Sequence, residues 1–299
     1  MAVRRVVVGV DGSPEADDAL VWALREAWLR DVPLHAVNVW QPSGRPQEAE
    51  RLAELQSVAD LRAGLLRQVS AGVLAVAERA RATGVAVTSD VLYGSPAREL
   101  IRAAGADSLL VVGSRGRGSV TGVVLGSVSQ SCAQYAAGTV VVVRGRRPDP
   151  AAGRVVVGVD GSSRSVQALR FAADAARCRG ASLQVVHAWT LPYLGFAGPS
   201  ETLPQETVDE LAADASETLH ESLRRGSVDT SRSDVLLHLV ESAPAVALLK
   251  AAEGADLLVV GSRGHGGWKG LLMGSVSLRC ITQSPCPVAV FREPDDNGE

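Results

Sequence analysis

Short apolar runs alternate with longer amphipathic stretches along the whole chain. In the first half, the apolar runs predict strands near residues 4–10, 33–39, 85–91, 108–112 and 139–143. The stretches between them predict helices near 14–30, 48–82 and 96–104, and a last helix that begins at residue 127. Strands that alternate with helices favour a parallel sheet covered by helices on both faces.

The second half of the chain repeats this pattern at nearly constant spacing. The string RVVVGVDGS surrounds Asp11 and recurs around Asp160, 149 residues later, and Pro96 and Pro244 open two helix-like runs that lie 148 residues apart. Landmarks that share one long offset indicate a tandem duplication rather than a short-period repeat. We therefore expect domains at 1–146 and 153–293, a linker at 147–152 and an acidic tail at 294–299.

Each half is expected to form a doubly wound α/β domain with a five-stranded parallel sheet in the order 3-2-1-4-5. In such sheets, ligands bind beyond the carboxyl ends of the strands, at the point where the winding reverses. That point lies between strands 1 and 4. Asp11 ends the first predicted strand and Gly113 ends the fourth, so both would border one cleft.

A glycine-rich loop follows the fourth predicted strand in each half. It reads GSRGRGSVTGVVLGS at 113–127 and GSRGHGGWKGLLMGS at 261–275, which is G-x-x-G, nine residues and then G-S. Glycine-rich loops between a strand and a helix can present bare backbone N–H groups to a phosphate. The repeated loop therefore predicts two nucleotide-sized anion sites, one in each half.

Backbone chemistry assigns roles within this loop. Gly113 and Gly116 would let the chain approach a ribose and the first phosphates without a side-chain clash. Ser127 would cap the following helix and offer its hydroxyl and N–H to a terminal phosphate. The remaining positions expected in the two sites are Gly126, Val128, Ser129, Gly261, Gly264, Gly274, Ser275, Val276 and Ser277.

Two aspartates and two pairs of basic residues each have two possible roles, one in ligand binding and one that is purely structural. Asp11 and Asp160, followed by Gly12 and Gly161, can accept hydrogen bonds from a ribose hydroxyl or an adenine amine, or can form a turn with the next serine. The basic residues of the loops can contact phosphate or stay solvent-exposed. They are Arg115 and Arg117 in the first half and Arg263 and His265 in the second.

Composition and missing motifs exclude several other classes. The net charge of −3 gives no pull toward nucleic acid or an anionic membrane, and the four cysteines form no CxxC pair, as expected of reduced thiols in a cytoplasmic protein. The loop at 113–127 holds no lysine, which argues against a P-loop enzyme. The glycines follow the fourth strand, not the first, and neither histidine spacing nor a G-x-S-x-G elbow indicates a metal or serine-hydrolase site.

The order of VVVGVDGS, the Ser-Pro or Ala-Pro helix openings, GADLLVVGSRG and the glycine loop resembles the universal stress protein family, over nearly the whole chain and in the tandem form found in actinobacteria. Members with the full loop bind ATP in a doubly wound domain. The resemblance implies that the nucleoside end lies near Asp11 and the backbone of Val39, and near Asp160 and the backbone of Ala188. The first half departs from the second before its last strand, with AAGTV in place of SPCPV.

This resemblance implies an ATP-binding regulator of the stress response with little or no turnover, which binds ATP with or without Mg²⁺. It also implies a homodimer and a regulatory protein partner. The Val-rich edge at 139–143 is expected to be covered, because an open sheet edge promotes pairing with another chain. A slow ATPase or other nucleotide-transforming enzyme stays open, as does a dimerisation scaffold. The choice of ATP over ADP or a cyclic nucleotide also stays open.

Overall fold

The computed structural model describes residues 3–40, 58–79, 84–116, 125–144, 153–191, 204–264 and 273–292. The chain divides into two compact units, called here the first lobe (described residues up to 144) and the second lobe (described residues from 153 to 291). The predicted linker and tail lie outside the described residues, and so do 48–57 and 80–82 of the second predicted helix.

The first lobe alternates strands and helices in the predicted order. Its strands are β1 (Arg5–Gly9), β2 (Leu34–Trp40), β3 (Val87–Tyr93), β4 (Ser108–Gly113) and β5 (Val140–Val143). Its described helices are α1 (Pro14–Arg30), α2 (Val58–Arg79), α3 (Pro96–Ala104) and α4 (Ser127–Tyr135). Gly64 and Gly72 lie inside α2 without ending it.

The second lobe repeats the same succession. Its strands are β6 (Arg154–Gly158), β7 (Ser182–Trp189), β8 (Val235–Glu241), β9 (Leu257–Gly261) and β10 (Val288–Phe291). Its described helices are α5 (Ser163–Arg179), α6 (Gln205–Gly226), α7 (Pro244–Ala251) and α8 (Ser275–Gln283).

The strand order confirms the predicted doubly wound sheet in both lobes. The first lobe reads β3-β2-β1-β4-β5, and the second reads β8-β7-β6-β9-β10, with parallel pairing. In the register of the first lobe, Val6 lies between Leu34 and Leu109. Helices α1 and α2 contact each other, as do α3 and α4, which is the pairing expected when helices cover both faces. The winding therefore reverses between β1 and β4, and between β6 and β9.

The core of each lobe consists of small aliphatic side chains, as the low aromatic content predicts. Val6, Val7 and Val8 of β1 are fully buried, and so are Ala19 and Ala23 of α1. Each fully buried valine or leucine contributes roughly 1.5–3 kcal/mol relative to leaving it exposed. The alanines let the helix lie close to the sheet, which fixes the ends of the strands where the sites form. Among the described residues, no helix combines the length and the apolarity that crossing a membrane requires.

Candidate functional site

A cavity opens beyond the carboxyl ends of the central strands in each lobe. The first encloses about 460 Å³ and is lined by Gly9, Val10, Asp11, Ala16, Val37, Val39, Pro96, Leu100, Val112, Gly113, Arg115, Gly116, Gly126, Ser127, Val128 and Ser129. The second encloses about 410 Å³ and is lined by Gly158, Val159, Asp160, Ser165, Val186, Ala188, Pro244, Leu248, Val260, Gly261, Arg263, Gly264, Met273, Gly274, Ser275, Val276 and Ser277.

These cavities bring together nearly every residue that the sequence places in the two sites. Gly12 and Gly161 are the exceptions among the described residues, since each lies in the turn just beyond the lining aspartate. The other two predicted positions, Arg117 and His265, lie outside the described residues.

One oxygen of each aspartate forms the turn that leads into the next helix. Oδ1 of Asp11 accepts from the N–H of Ser13 at 2.9 Å and from its hydroxyl at 2.6 Å, and Ser13 Oγ in turn accepts from the first turn of α1. Asp160 accepts in the same way from Ser162, at 3.1 and 2.6 Å. The turn places the intervening Gly12 at a φ of 74°, in the left-handed region that favours glycine.

The same aspartates also border the glycine loop. A Cβ added to Gly116 would lie 2.6 Å from Oδ2 of Asp11, and a Cβ on Gly264 would meet Oδ2 of Asp160 in the same way. A side chain at either of these two loop positions would push the carboxylate away, so glycine is the residue that leaves the aspartate in place. The two possible roles of the aspartates, in the turn and in the cavity wall, are therefore compatible. Oδ1 forms the turn, while the half-buried carboxylate lines the cavity.

Backbone and hydroxyl contacts close the base of each loop. The N–H of Gly126 donates to the carbonyl of Ser114 at 2.7 Å, which brings the two ends of the loop together. The hydroxyl of Ser129 donates to the carbonyl of Gly113 at 2.5 Å, and Ser277 repeats this contact at 2.6 Å. These two serine hydroxyls therefore hold the loop, and a ligand would meet the backbone of this turn.

The lack of a side chain at Gly113 has a structural cause. A Cβ there would lie 2.6 Å from the carbonyl oxygen of Glu15 in the first turn of α1. Gly113 is thus required by the packing of α1 against the end of β4, although its backbone also lines the cavity.

Helices α4 and α8 begin at the cavities without a side-chain cap. Their N-cap residues are Gly126 and Gly274, and neither makes a side-chain capping bond. The predicted capping role of Ser127 is therefore wrong: Ser127 and Ser275 are the first helical residues, and a glycine N-cap carries no hydroxyl. The first N–H groups of a helix have no intrahelical partner and form its positive end, so each cavity ends at a site suited to an anion.

Arginines add positive charge beside this helix end. Arg115 lines the first cavity and forms an ion pair with Glu15 at 2.9 Å, with its side chain 43% exposed. Burial, followed by the nearby charge of Arg115, lowers the pKa of Arg144, which follows β5. Arg263 lines the second cavity at the position equivalent to Arg115.

Two polar side chains that support the site were missed by sequence reasoning. Asn38 of β2 donates from Nδ2 to the carbonyl of Val10 at 2.7 Å. At the equivalent position of β7, Nδ1 of His187 lies 2.8 Å from the carbonyl of Val159. A carbonyl oxygen only accepts, so Nδ1 of His187 carries the hydrogen. Both contacts hold the strand end that carries the aspartate, but the two residue types differ and give no repeated signal.

The other end of each cavity is apolar. In the first lobe it includes Val37, Pro96 and Leu100, and Leu100 is only 4% exposed. Pro96 and Leu100 lie one turn apart on α3, a spacing that would have identified this wall. Cavities of this volume, largely apolar with a few polar groups, are typical of small-molecule sites. Among the described residues, no group of three or more His, Cys, Asp or Glu side chains could hold a metal ion.

A family model supplies the deciding comparison, because the model of the universal stress protein family matches residues 2–144 and again residues 152–292. The chain belongs to the universal stress protein family. It carries the family's domain twice, in tandem.

Relatives with the same tandem length support this membership. A universal stress protein of Mycobacterium tuberculosis is 36% identical over 316 residues, covering 97% of this chain and 96% of the relative. One from Mycolicibacterium smegmatis is 36% identical over 297 residues, covering 96% of each. A crystal structure of a universal stress protein from Archaeoglobus fulgidus matches with a TM-score of 0.68 at 21% identity, over 98% of this chain and 99% of that one, and so shows the shared fold.

Proposed function

We propose that both cavities bind ATP and that the protein acts as a nucleotide-dependent regulator with little or no turnover. The observation that carries the proposal is the set of groups that lines each cavity. An apolar wall, an aspartate at the end of the central strand, and an uncapped helix N-terminus with an arginine all border the same space.

This set of groups matches the parts of an adenine nucleotide. The wall of Val37 and Leu100 suits an apolar base, and the carboxylate of Asp11 suits the hydroxyls of a ribose or an amine. The N–H groups at the start of α4, next to Arg115, suit phosphates. Because the second lobe repeats each feature, the same ligand class is proposed for both.

A binding role is supported more directly than a catalytic one. Asp11 and Asp160 are the carboxylates among the described lining residues, and Oδ1 of each is held by a serine N–H and hydroxyl. A carboxylate whose orientation is fixed in this way is placed to accept a hydrogen bond from a bound ligand. A regulator works if a partner prefers the nucleotide-bound state, since a ligand shifts an equilibrium only by its difference in affinity for the two states.

Isothermal titration tests the binding. Asp11→Asn combined with Asp160→Asn keeps an oxygen for the turn but replaces the second carboxylate oxygen with an NH2 donor. The charge-assisted hydrogen bond to a ribose hydroxyl or an amine is then lost, so ATP affinity should fall about tenfold or more. Asp90→Asn is the matched control, because Asp90 forms an ion pair with Arg62 outside both cavities. Wild-type protein that binds no ATP at millimolar concentration, with or without Mg²⁺, would overturn the proposal.

Phosphate release distinguishes a regulator from an enzyme. We expect less than stoichiometric release from ATP over an hour. Many turnovers that are lost in Ser127→Ala plus Ser275→Ala protein would instead assign the two sites to a slow ATPase.

A further inference from the structure

The two cavities differ in charge beside the glycine loop. In the first lobe, Glu15 in the first turn of α1 neutralises Arg115 at 2.9 Å. In the second lobe the equivalent residue, 149 positions later, is Arg164. Its backbone packs beside Gly261 as that of Glu15 packs beside Gly113, so the two residues occupy the same place in the fold.

A second position in the same turn also loses a negative charge in the second lobe. Asp17 of α1 approaches Arg79 of α2 at 3.8 Å, whereas the equivalent residue of α5 is the buried Val166. The first turn of α5 contains no acidic residue. At the end of α6, Arg225 instead donates to the carbonyl of Gly161 at 2.7 Å, in the turn that precedes α5.

The fold does not explain the arginine at 164. A cation in the first turn lies at the unfavourable, positive end of a helix dipole. The apolar wall is nearly unchanged between the lobes, since Val37, Pro96 and Leu100 correspond to Val186, Pro244 and Leu248. The difference in charge therefore lies at the first turn of the helix, beside the loop where the proposed phosphates lie.

We infer that the second lobe selects adenine nucleotides by phosphate charge, favouring ATP over AMP, and that the first lobe discriminates much less. This inference rests on the proposed function of the two cavities. Exchanging a glutamate for an arginine changes the charge beside the glycine loop by two units. Such a charge acts over about one Debye length, roughly 8–10 Å at physiological ionic strength and more at low salt. Acting on the additional phosphates of ATP, it should change the ratio of ATP to AMP affinity about tenfold, or about 1.4 kcal/mol.

The test isolates one lobe at a time in the full-length protein. Ser127→Asp places a carboxylate at the start of α4, where it repels phosphate yet suits the helix dipole, so the lobe should still fold. Ser275→Asp does the same for α8. In each single-site protein, ATP affinity is measured by calorimetry and AMP affinity by displacement of ATP, both without Mg²⁺ and at low salt.

The expected ratio of ATP to AMP affinity is about tenfold higher in Ser127→Asp protein than in Ser275→Asp protein. Adding Arg164→Glu to the Ser127→Asp protein should lower its ratio of ATP to AMP affinity about tenfold. Adding Glu15→Arg to the Ser275→Asp protein should raise its ratio by a similar factor. Arg177→Glu is the matched control, since it makes the same charge change roughly 20 Å along α5, at 1.5 Å per residue.

The possible results separate this inference from the proposed function. If both single-site proteins bind ATP with equal ratios that Arg164→Glu leaves unchanged, the charge inference is overturned while nucleotide binding stands. If Arg177→Glu changes the ratio as much as Arg164→Glu, the effect is a general one of net charge and the inference is likewise wrong. If neither single-site protein nor the wild type binds ATP or AMP, both the proposed function and the inference fail.

Discussion

Replacing Ser162 with alanine should destabilise the second lobe by about 2 kcal/mol, because one hydroxyl makes two contacts there. Ser162 Oγ caps α5 by accepting from the N–H of Ser165 at 3.2 Å, and it donates to Asp160 at 2.6 Å. Losing an N-cap costs about 1 kcal/mol, and a hydrogen bond to a charged group is worth about 1.5–3 kcal/mol. The value for the hydrogen bond to Asp160 is reduced to about 1 kcal/mol in this sum, because Asp160 is only half-buried and still accepts a hydrogen bond from the N–H of Ser162.

Urea unfolding followed by circular dichroism measures the loss, and hydrogen exchange of peptides from α5 assigns it to the second lobe. Ser162→Thr, which keeps a capping hydroxyl, should recover most of the stability. Ser95→Ala is the matched control, because Ser95 is the N-cap of α3 but makes no side-chain capping bond. A loss below about 0.5 kcal/mol, or one no larger than that of Ser95→Ala, would refute the reasoning.

Three further outcomes follow from buried groups. Burial raises the pKa of Cys132 and Cys280 to about 12 and that of Cys286 to about 11, so these thiols should not react with a thiol reagent at pH 8 until urea unfolds the protein. Because these pKa values lie above the unfolded value of about 8.5, the contribution of the three thiols to stability should be constant below that pH and fall as the pH rises toward 11–12, which urea midpoints measured from pH 8 upward would show. Glu26→Ala should cost about 3 kcal/mol in urea unfolding, because it removes the carboxylate that pairs at 2.6 Å with buried Arg30, and Glu26→Leu with Arg30→Met should cost less.

The fold was predictable because both halves of the chain carry the same succession of apolar runs, amphipathic stretches and motifs. The predicted bounds of α1 and α3 agree with the structure, since Pro14 and Pro96 open these helices. A proline in the first turn costs no helical hydrogen bond and marks the start clearly. The alternation of elements predicts the parallel sheet but does not by itself give the strand order. The expected order 3-2-1-4-5 is one that brings the two motifs together at one edge.

The candidate site was predictable wherever backbone geometry dictates the residue type. Gly113 must be glycine because the backbone carbonyl of Glu15 lies against it, and such positions leave a pattern in the sequence. Asn38 and His187 act across the sheet on the carbonyls of Val10 and Val159, so their partners are invisible to local spacing. The cap at Gly126 was assigned to the wrong residue because a helix start without a capping side chain has no local signal of its own.

Duplication preserves the backbone of such a site more strictly than its charges. The loop glycines are constrained by contacts inside each lobe, whereas Glu15 and Arg164 are half-buried or more exposed at the first turn of a helix. A charge exchange at such a position changes folding stability little, since exposed ion pairs are worth about 0–1 kcal/mol. The same exchange would act on each charge of a phosphate bound nearby. Two copies of one fold can therefore diverge in ligand preference through first-turn residues while the loops that form both cavities stay the same.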